Sequence, residues 1–326
     1  MKTFAFEPAK RDGYEMFRIP CIASTGRGKL VAACEARRSA SDWADIDLTV
    51  RTSCDGGETW SERVVLDAGR GETVNNPVLF TEGEQVMLLW QRAYSRTFSA
   101  KSCDGGKTWG SITEHTGAIR AIMPEYTVIA VGPGHGCVAR DGRYLTPAWF
   151  VNNTEDPHAH FPSRVTTLVS ADKGESWVRG EILDIPFYSP SECQITETDK
   201  GFLMTIRQAG EKHRRVFAES RDGLHWENIR QSEVNDPICC CGMIANRNTV
   251  FLTHCDDENN RLHLTLEKSE DFGKSWQKIM EIDPIGGYSD LACDGESLYV
   301  LHEENPGSYD LKCTRIDLNE FSRRTT

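Results

Sequence analysis

The sequence predicts an all-β chain, folded as a six-bladed β-propeller of four-stranded antiparallel blades. Three observations predict it. The pattern Ser-x-Asp-x-Gly-x-(Ser/Thr)-Trp occurs at residues 53–60, 102–109, 170–177 and 269–276, and a copy one residue short lies at 220–226. Its tryptophans fall at 60, 109, 177, 226 and 276, in steps of 49, 68, 49 and 50 residues, and a period near 50 marks a repeat architecture. A chain of 326 residues holds about six such units, and six four-stranded units close into a propeller. If the N-terminal strand completes the last blade, five boxes serve six blades. The reading is one domain over residues 1–326.

Each box has the chemistry of a hairpin turn. Asp folds back on its own backbone amides, Gly supplies a positive φ, and Ser or Thr adds a hydroxyl bond. The Trp then returns to the sheet and packs against it.

Along the chain, FRIP at 17–20 puts Arg18 at the opening of a strand, and KLVAAC follows as another. The loop SASDWAD then breaks the strand pattern before DIDLTV resumes it. Loops that join strands across the top of a propeller line its central site, so Asp42 is a site candidate or a loop cap. Trp43 beside it supplies a dry wall that would raise its pKa. Asp45 and Asp47 lie nearer the strand and read as structural. Residues 64–92 alternate as strand, turn, strand. The glycine-rich stretch 132–136 lacks the Lys-Ser/Thr of a phosphate loop, and its His135 reads as structural or site-lining. VNNTEDPHAHFPS reads as an excursion over one face. Glu192 opens a strand and Arg207 ends the next, with a tight turn between, so the two should meet. Arg261 precedes the strand LHLTLEKS, and Tyr288 follows two glycines ahead of the closing strands.

Composition bounds the function. The chain is 39% hydrophobic and 26% charged, with net charge −12 and a pI of about 5.3. That sign argues against a nucleic-acid binder, and an acidic ligand would need a local arginine cluster. No apolar run approaches a membrane span, and the N-terminal stretch lacks the apolar core of a secretory signal. The twelve cysteines include the run Cys239, Cys240, Cys241, which has no C-x-x-C metal spacing. They read as free thiols in a reducing compartment, so the expected location is cytoplasmic.

The FRIP string, the repeated boxes and the order Arg, Asp, Glu, Arg, Arg, Tyr resemble the sialidase (exo-α-neuraminidase) family, glycoside hydrolase family 33. The likeness runs from Phe17 to about Glu303. Boxes alone occur in other propellers, whereas FRIP with the full site order is specific. The resemblance implies an arginine triad of Arg18, Arg207 and Arg261, with Arg247 a weaker rival for the third place. It implies Asp42 as acid/base, Tyr288 as nucleophile, Glu192 as its partner, and Arg37 (or Arg38) as an auxiliary arginine lining the site. No metal or cofactor is implied.

The chemistry is coherent. A sialic acid glycoside carries a carboxylate on its anomeric carbon, which three arginines can grip. A carboxylate nucleophile would be repelled there, and sialidases use a tyrosine. Glu192 would take the phenol proton, making Tyr288 nucleophilic well below its ordinary pKa of about 10. Asp42 would protonate the leaving oxygen and then activate water. The implied function is a retaining exo-α-sialidase acting on sialylated glycoconjugates through a covalent tyrosyl intermediate. Two alternatives remain: a glycosidase for a related 2-keto sugar acid (Kdn or Kdo), and a non-catalytic sialoglycan-binding propeller.

Overall fold

The blades are built from strands whose burial follows their place in the ring. In the first blade, Met16–Gly26 is innermost, followed outward by Lys29–Arg37, Ile46–Ser53 and Val64–Asp67. A blade is covered on both faces by its neighbours, so central strands lose strict alternation. Tyr144–Val151 is buried along its whole length, whereas Val64–Asp67, an outer edge, is largely exposed. The computed structural model of the chain describes residues 1–322.

Six antiparallel sheets stand in a ring, each laid down from its inner strand outward. The inner strands begin at Met16, Val74, Val128, Cys193, Gly242 and Ser289. The sixth blade is Ser289–Cys293, Ser297–Glu303 and Leu311–Asp317, completed at its edge by Lys2–Glu7, so the chain start closes the ring as expected. The second and third blades each carry one additional two-residue strand, Gly134–His135 and Cys137–Val138. These and a short helix, Thr116–Ile122, fill the long step between the second and third boxes.

Six buried clusters lie between adjacent blades, one at each seam of the ring. A fully buried Leu, Ile, Val or Phe contributes about 1.5–3 kcal/mol, so these seams, not the turns, dominate the hydrophobic stabilisation.

The boxes join the third and fourth strands of blades one to five. In the second, Asp104 accepts from the Thr108 N–H at 2.9 Å and its hydroxyl at 2.6 Å, and the Gly106 N–H donates to Ser102 Oγ at 2.9 Å. The shortened copy substitutes His225, whose Nδ1 lies 2.8 Å from Asp222 Oδ2. One expectation changes here. The box tryptophans enter the seam with the preceding blade: Trp60 meets the sixth–first cluster and Trp109 the first–second. Trp177, Trp226 and Trp276 repeat the arrangement around the ring.

Candidate active site

Because strands alternate in direction, the start of an inner strand, the end of the second and the loop to the third share one face. The box turns lie on the other. The seven residues singled out in the sequence all occupy the first face. Arg18, Glu192 and Tyr288 sit at or just before inner strands. Arg37 and Arg207 sit at the ends of second strands, Asp42 in a second-to-third loop, and Arg261 just before a third strand. All seven line one cavity of about 140 Å³ at the mouth of the ring.

Tyr288 is the centre of this cluster. Its hydroxyl donates to Glu192 Oε1 at 2.6 Å and accepts from Arg207 Nη1 at 2.6 Å. Arg207 also pairs with Glu192, as their places in one hairpin predict. The guanidinium carbons of Arg18 and Arg261 lie 5.1 and 5.2 Å from the centroid of the tyrosine ring. Burial pushes the phenol well above its ordinary value, and the Glu192 charge adds to this; Arg207, Arg261 and Arg18 oppose it without prevailing. Tyr288 therefore rests as a phenol with its hydroxyl directed at Glu192, the carboxylate read as its proton acceptor.

Asp42 differs from expectation. Burial does raise its carboxyl, but Arg37, Arg18 and His160 outweigh burial and hold it below the usual carboxylate range. Arg37 Nη1 donates to Asp42 Oδ1 at 2.8 Å. Trp43 does not line the cavity; it stacks on His158, with centroids 4.0 Å apart, and packs against Tyr94 at 5.1 Å. The choice between neighbouring arginines is clear in the geometry. Arg37 is buried in the cavity, whereas Arg38 binds Asp45 and Asp47 outside it. Asp47 also takes the Tyr14 hydroxyl at 2.6 Å, a structural role as read.

Sequence reasoning missed five residues. Tyr94, Trp149, His160 and Phe161 form an aromatic wall of the cavity, the last two from the 152–163 excursion. The fifth, Glu303, is buried and binds the Ile19 N–H at 2.8 Å, Arg18 Nη2 at 3.3 Å and the Tyr288 N–H at 3.3 Å. Its signal was present: it lies fifteen positions after Tyr288, the hairpin spacing that linked Glu192 to Arg207.

A larger cavity, about 330 Å³, opens at the opposite mouth of the ring. Arg247 and His135 line it, far from the tyrosine cluster, so Arg261 and not Arg247 belongs with the other two arginines. His135 is held by Asp290 at 2.7 Å. Size favours this cavity, but the convergence of charged and nucleophilic groups favours the smaller one. Among the described residues no three His, Cys, Asp or Glu side chains gather as metal ligands. Cys239, Cys240 and Cys241 are buried free thiols.

A family model described as a BNR repeat-like domain matches residues 20–300. The chain is 24% identical over 354 residues to a sialidase of Bacteroides fragilis, covering 94% of this chain and 63% of that protein. It is 34% identical over 220 residues to sialidase-4 of Mus musculus, covering 57% of this chain and 44% of that one. The chain thus spans less than two thirds of the length of these relatives. The fold superposes on the Hadza microbial sialidase Hz136 with a TM-score of 0.84 at 22% identity, covering 98% of this chain and 69% of the other. At that identity the superposition speaks for the fold.

Proposed function

The chain belongs to the BNR repeat-like family, with sialidases as its relatives, and from that premise we propose that it is a retaining exo-α-sialidase. It removes terminal sialic acid from glycoconjugates through a covalent intermediate on Tyr288. The observation that carries this reading is the Tyr288 hydroxyl held between Glu192 and Arg207, with Arg18 and Arg261 beside the ring.

Arg18, Arg207 and Arg261 receive the substrate carboxylate by charge-assisted hydrogen bonds. The Tyr288 oxygen attacks the anomeric carbon while its proton passes to Glu192, so the raised phenol pKa is no obstacle: no free phenolate has to form. Asp42 gives its proton to the departing glycosidic oxygen as the bond to the anomeric carbon breaks. In the second half, Asp42 takes a proton from water, water displaces the tyrosine, and Glu192 returns the phenol proton. Two displacements give net retention. Because Asp42 must be protonated to start, and its partners hold its pKa down, kcat/KM should fall as pH rises through the value at which Asp42 ionises.

The test is release of 4-methylumbelliferone from its α-N-acetylneuraminide by wild type, Tyr288→Phe and Asp42→Ala. Wild-type turnover that collapses by three or more orders of magnitude in Tyr288→Phe, roughly the loss of an essential nucleophile, supports the reading. NMR should show the α-anomer of the free sugar first. The β-anomer first would overturn retention, and turnover of only a Kdn or Kdo glycoside would change the substrate. The cytoplasmic location is proposed with it, supported by twelve unpaired thiols, and cell fractionation checks it.

A further inference from the structure

Asp42 shares its arginine. Glu35 and Arg37 stand two apart on the strand Lys29–Arg37 and so face the same side. Neither has any exposed side-chain surface. Arg37 Nε and Nη2 donate to Glu35 Oε2 at 2.8 and 2.5 Å, while Nη1 reaches Asp42 at 2.8 Å. The other Glu35 oxygen is taken by the Asn76 N–H at 2.9 Å, and Asn76 is itself held at φ 54° in the cavity wall. One buried cation therefore serves two carboxylates, and it gives Glu35 two bonds and Asp42 one.

We infer that Glu35 is a positioning residue of the reaction: by holding Arg37, it limits how tightly Arg37 pins Asp42 as a carboxylate, and so sets the pH up to which Asp42 can deliver a proton. The inference rests on the proposed sialidase reading and goes beyond it. The groups that face Asp42 are Arg37 from the second strand, Arg18 from the inner strand, His160 from the 152–163 loop, and the buried phenol of Tyr94. Arg18 and His160 both favour the carboxylate, as Arg37 does. Glu35 is the buried carboxyl that competes with Asp42 for Arg37: burial raises it, while Arg37 and the Asn76 N–H favour its charged form. With its charge removed, the whole of Arg37 is left to Asp42, and the proton leaves Asp42 at lower pH.

The test uses the whole chain with Glu35→Gln, which keeps the shape and an acceptor oxygen. Profiles of kcat/KM against pH are recorded with sialyllactose, whose alcohol needs a proton to leave, and with the methylumbelliferyl glycoside, whose phenol hardly does. The expected result is a basic limb moved down by about 1 pH unit on sialyllactose, about a tenfold loss at a fixed pH on that limb, with a smaller change on the umbelliferyl substrate. An equal fall on both substrates with the limb unmoved would overturn the inference, and so would an upward shift. Arg37→Lys provides the opposite arm. A single ammonium stays with Glu35, Asp42 is released, and the limb moves up; if Glu35→Gln does not fold, this arm decides. A wild type inactive on both substrates would overturn the sialidase reading and this inference with it. An active wild type with unmoved limbs in the variants overturns this inference alone.

Discussion

Glu303 binds two of the groups that matter through one buried carboxylate, the Arg18 side chain and the Tyr288 backbone. Burial would raise its carboxyl, but Arg18, the Ile19 N–H and Arg261 hold it below its ordinary value. Loss of one charge-assisted bond is worth roughly 1.5–3 kcal/mol, so Glu303→Gln should raise KM about tenfold or more while kcat changes less. The sign of the pH effect follows from linkage. A carboxyl depressed by folding contributes stability above its unfolded pKa and loses it as pH falls through the folded one. Glu303→Gln should therefore flatten the acid side of a curve of Tm against pH, below about pH 4. An unchanged acid slope would show that Glu303 carries no such linkage. At this scale the seven site residues were legible chiefly through the family resemblance carried by FRIP and the residue order, with the hairpin spacing of Glu192 and Arg207 readable from the residues themselves. The direction of the Asp42 shift was not legible. It depends on which cation turns toward which group, and Arg37 turning inward while Trp43 packs on His158 and Tyr94 is a packing outcome with no local pattern.

The box is a clamp between blades as well as a turn. A Cβ on Gly106 would lie 2.6 Å from Val31 Cγ2, on the second strand of the preceding blade, and its φ is +90°. The corresponding glycine of the first box, Gly57, presses in the same way on Cys313 of the sixth blade. Glycine is thus required twice, for the backbone and for the seam. Gly106→Ala should destabilise by roughly 1–3 kcal/mol through overpacking and strain, read by urea or thermal melting. In the background Val31→Ala the same change should cost less, because the colliding methyl groups are gone. Strict additivity in this double-mutant cycle would remove the clamp from the account. The turn chemistry of the box was readable from the sequence, since Asp, Gly and Thr act on their own neighbours. The destination of the tryptophan was not, because a seam is formed by residues about one blade apart.

The whole ring is closed by Lys2–Glu7 running beside Leu311–Asp317. Glu7 reinforces the closure by taking Arg63 Nε and Nη2 of the first blade at 2.8 and 2.7 Å. The seam it guards is the one that Arg18 and Glu303 straddle. Removing residues 1–7 should lower Tm by several degrees, at about 2–4 °C for each kcal/mol lost, and should lower activity more than a change at a distant seam of equal effect on Tm. Parallel melting and rate measurements on the two variants decide this. Closure was foreseeable because five boxes had to serve six blades. The aromatic wall was not, because 152–163 carries no periodic signal and acquires its place only against Tyr94 and Trp149. The molecule is acidic overall, at −12, yet gathers arginines at one mouth of the ring. An anionic ligand that reaches that mouth therefore meets a positive cluster set against an acidic background.

The site is also a record of a closed ring. Tyr288 and Glu192 are 96 positions apart, and Arg18 and Glu303 are 285 apart. A chain still being translated holds Arg18, Arg37 and Asp42 from the first blade, but the tyrosine and the carboxylate that seats Arg18 emerge only with the sixth. A product that stops before the sixth blade lacks the Tyr288 hydroxyl proposed to react, however well its first five blades fold. The proteolytic loss of the last blade silences it in the same way. Any chemistry at this site therefore needs the sixth blade in place beside the first.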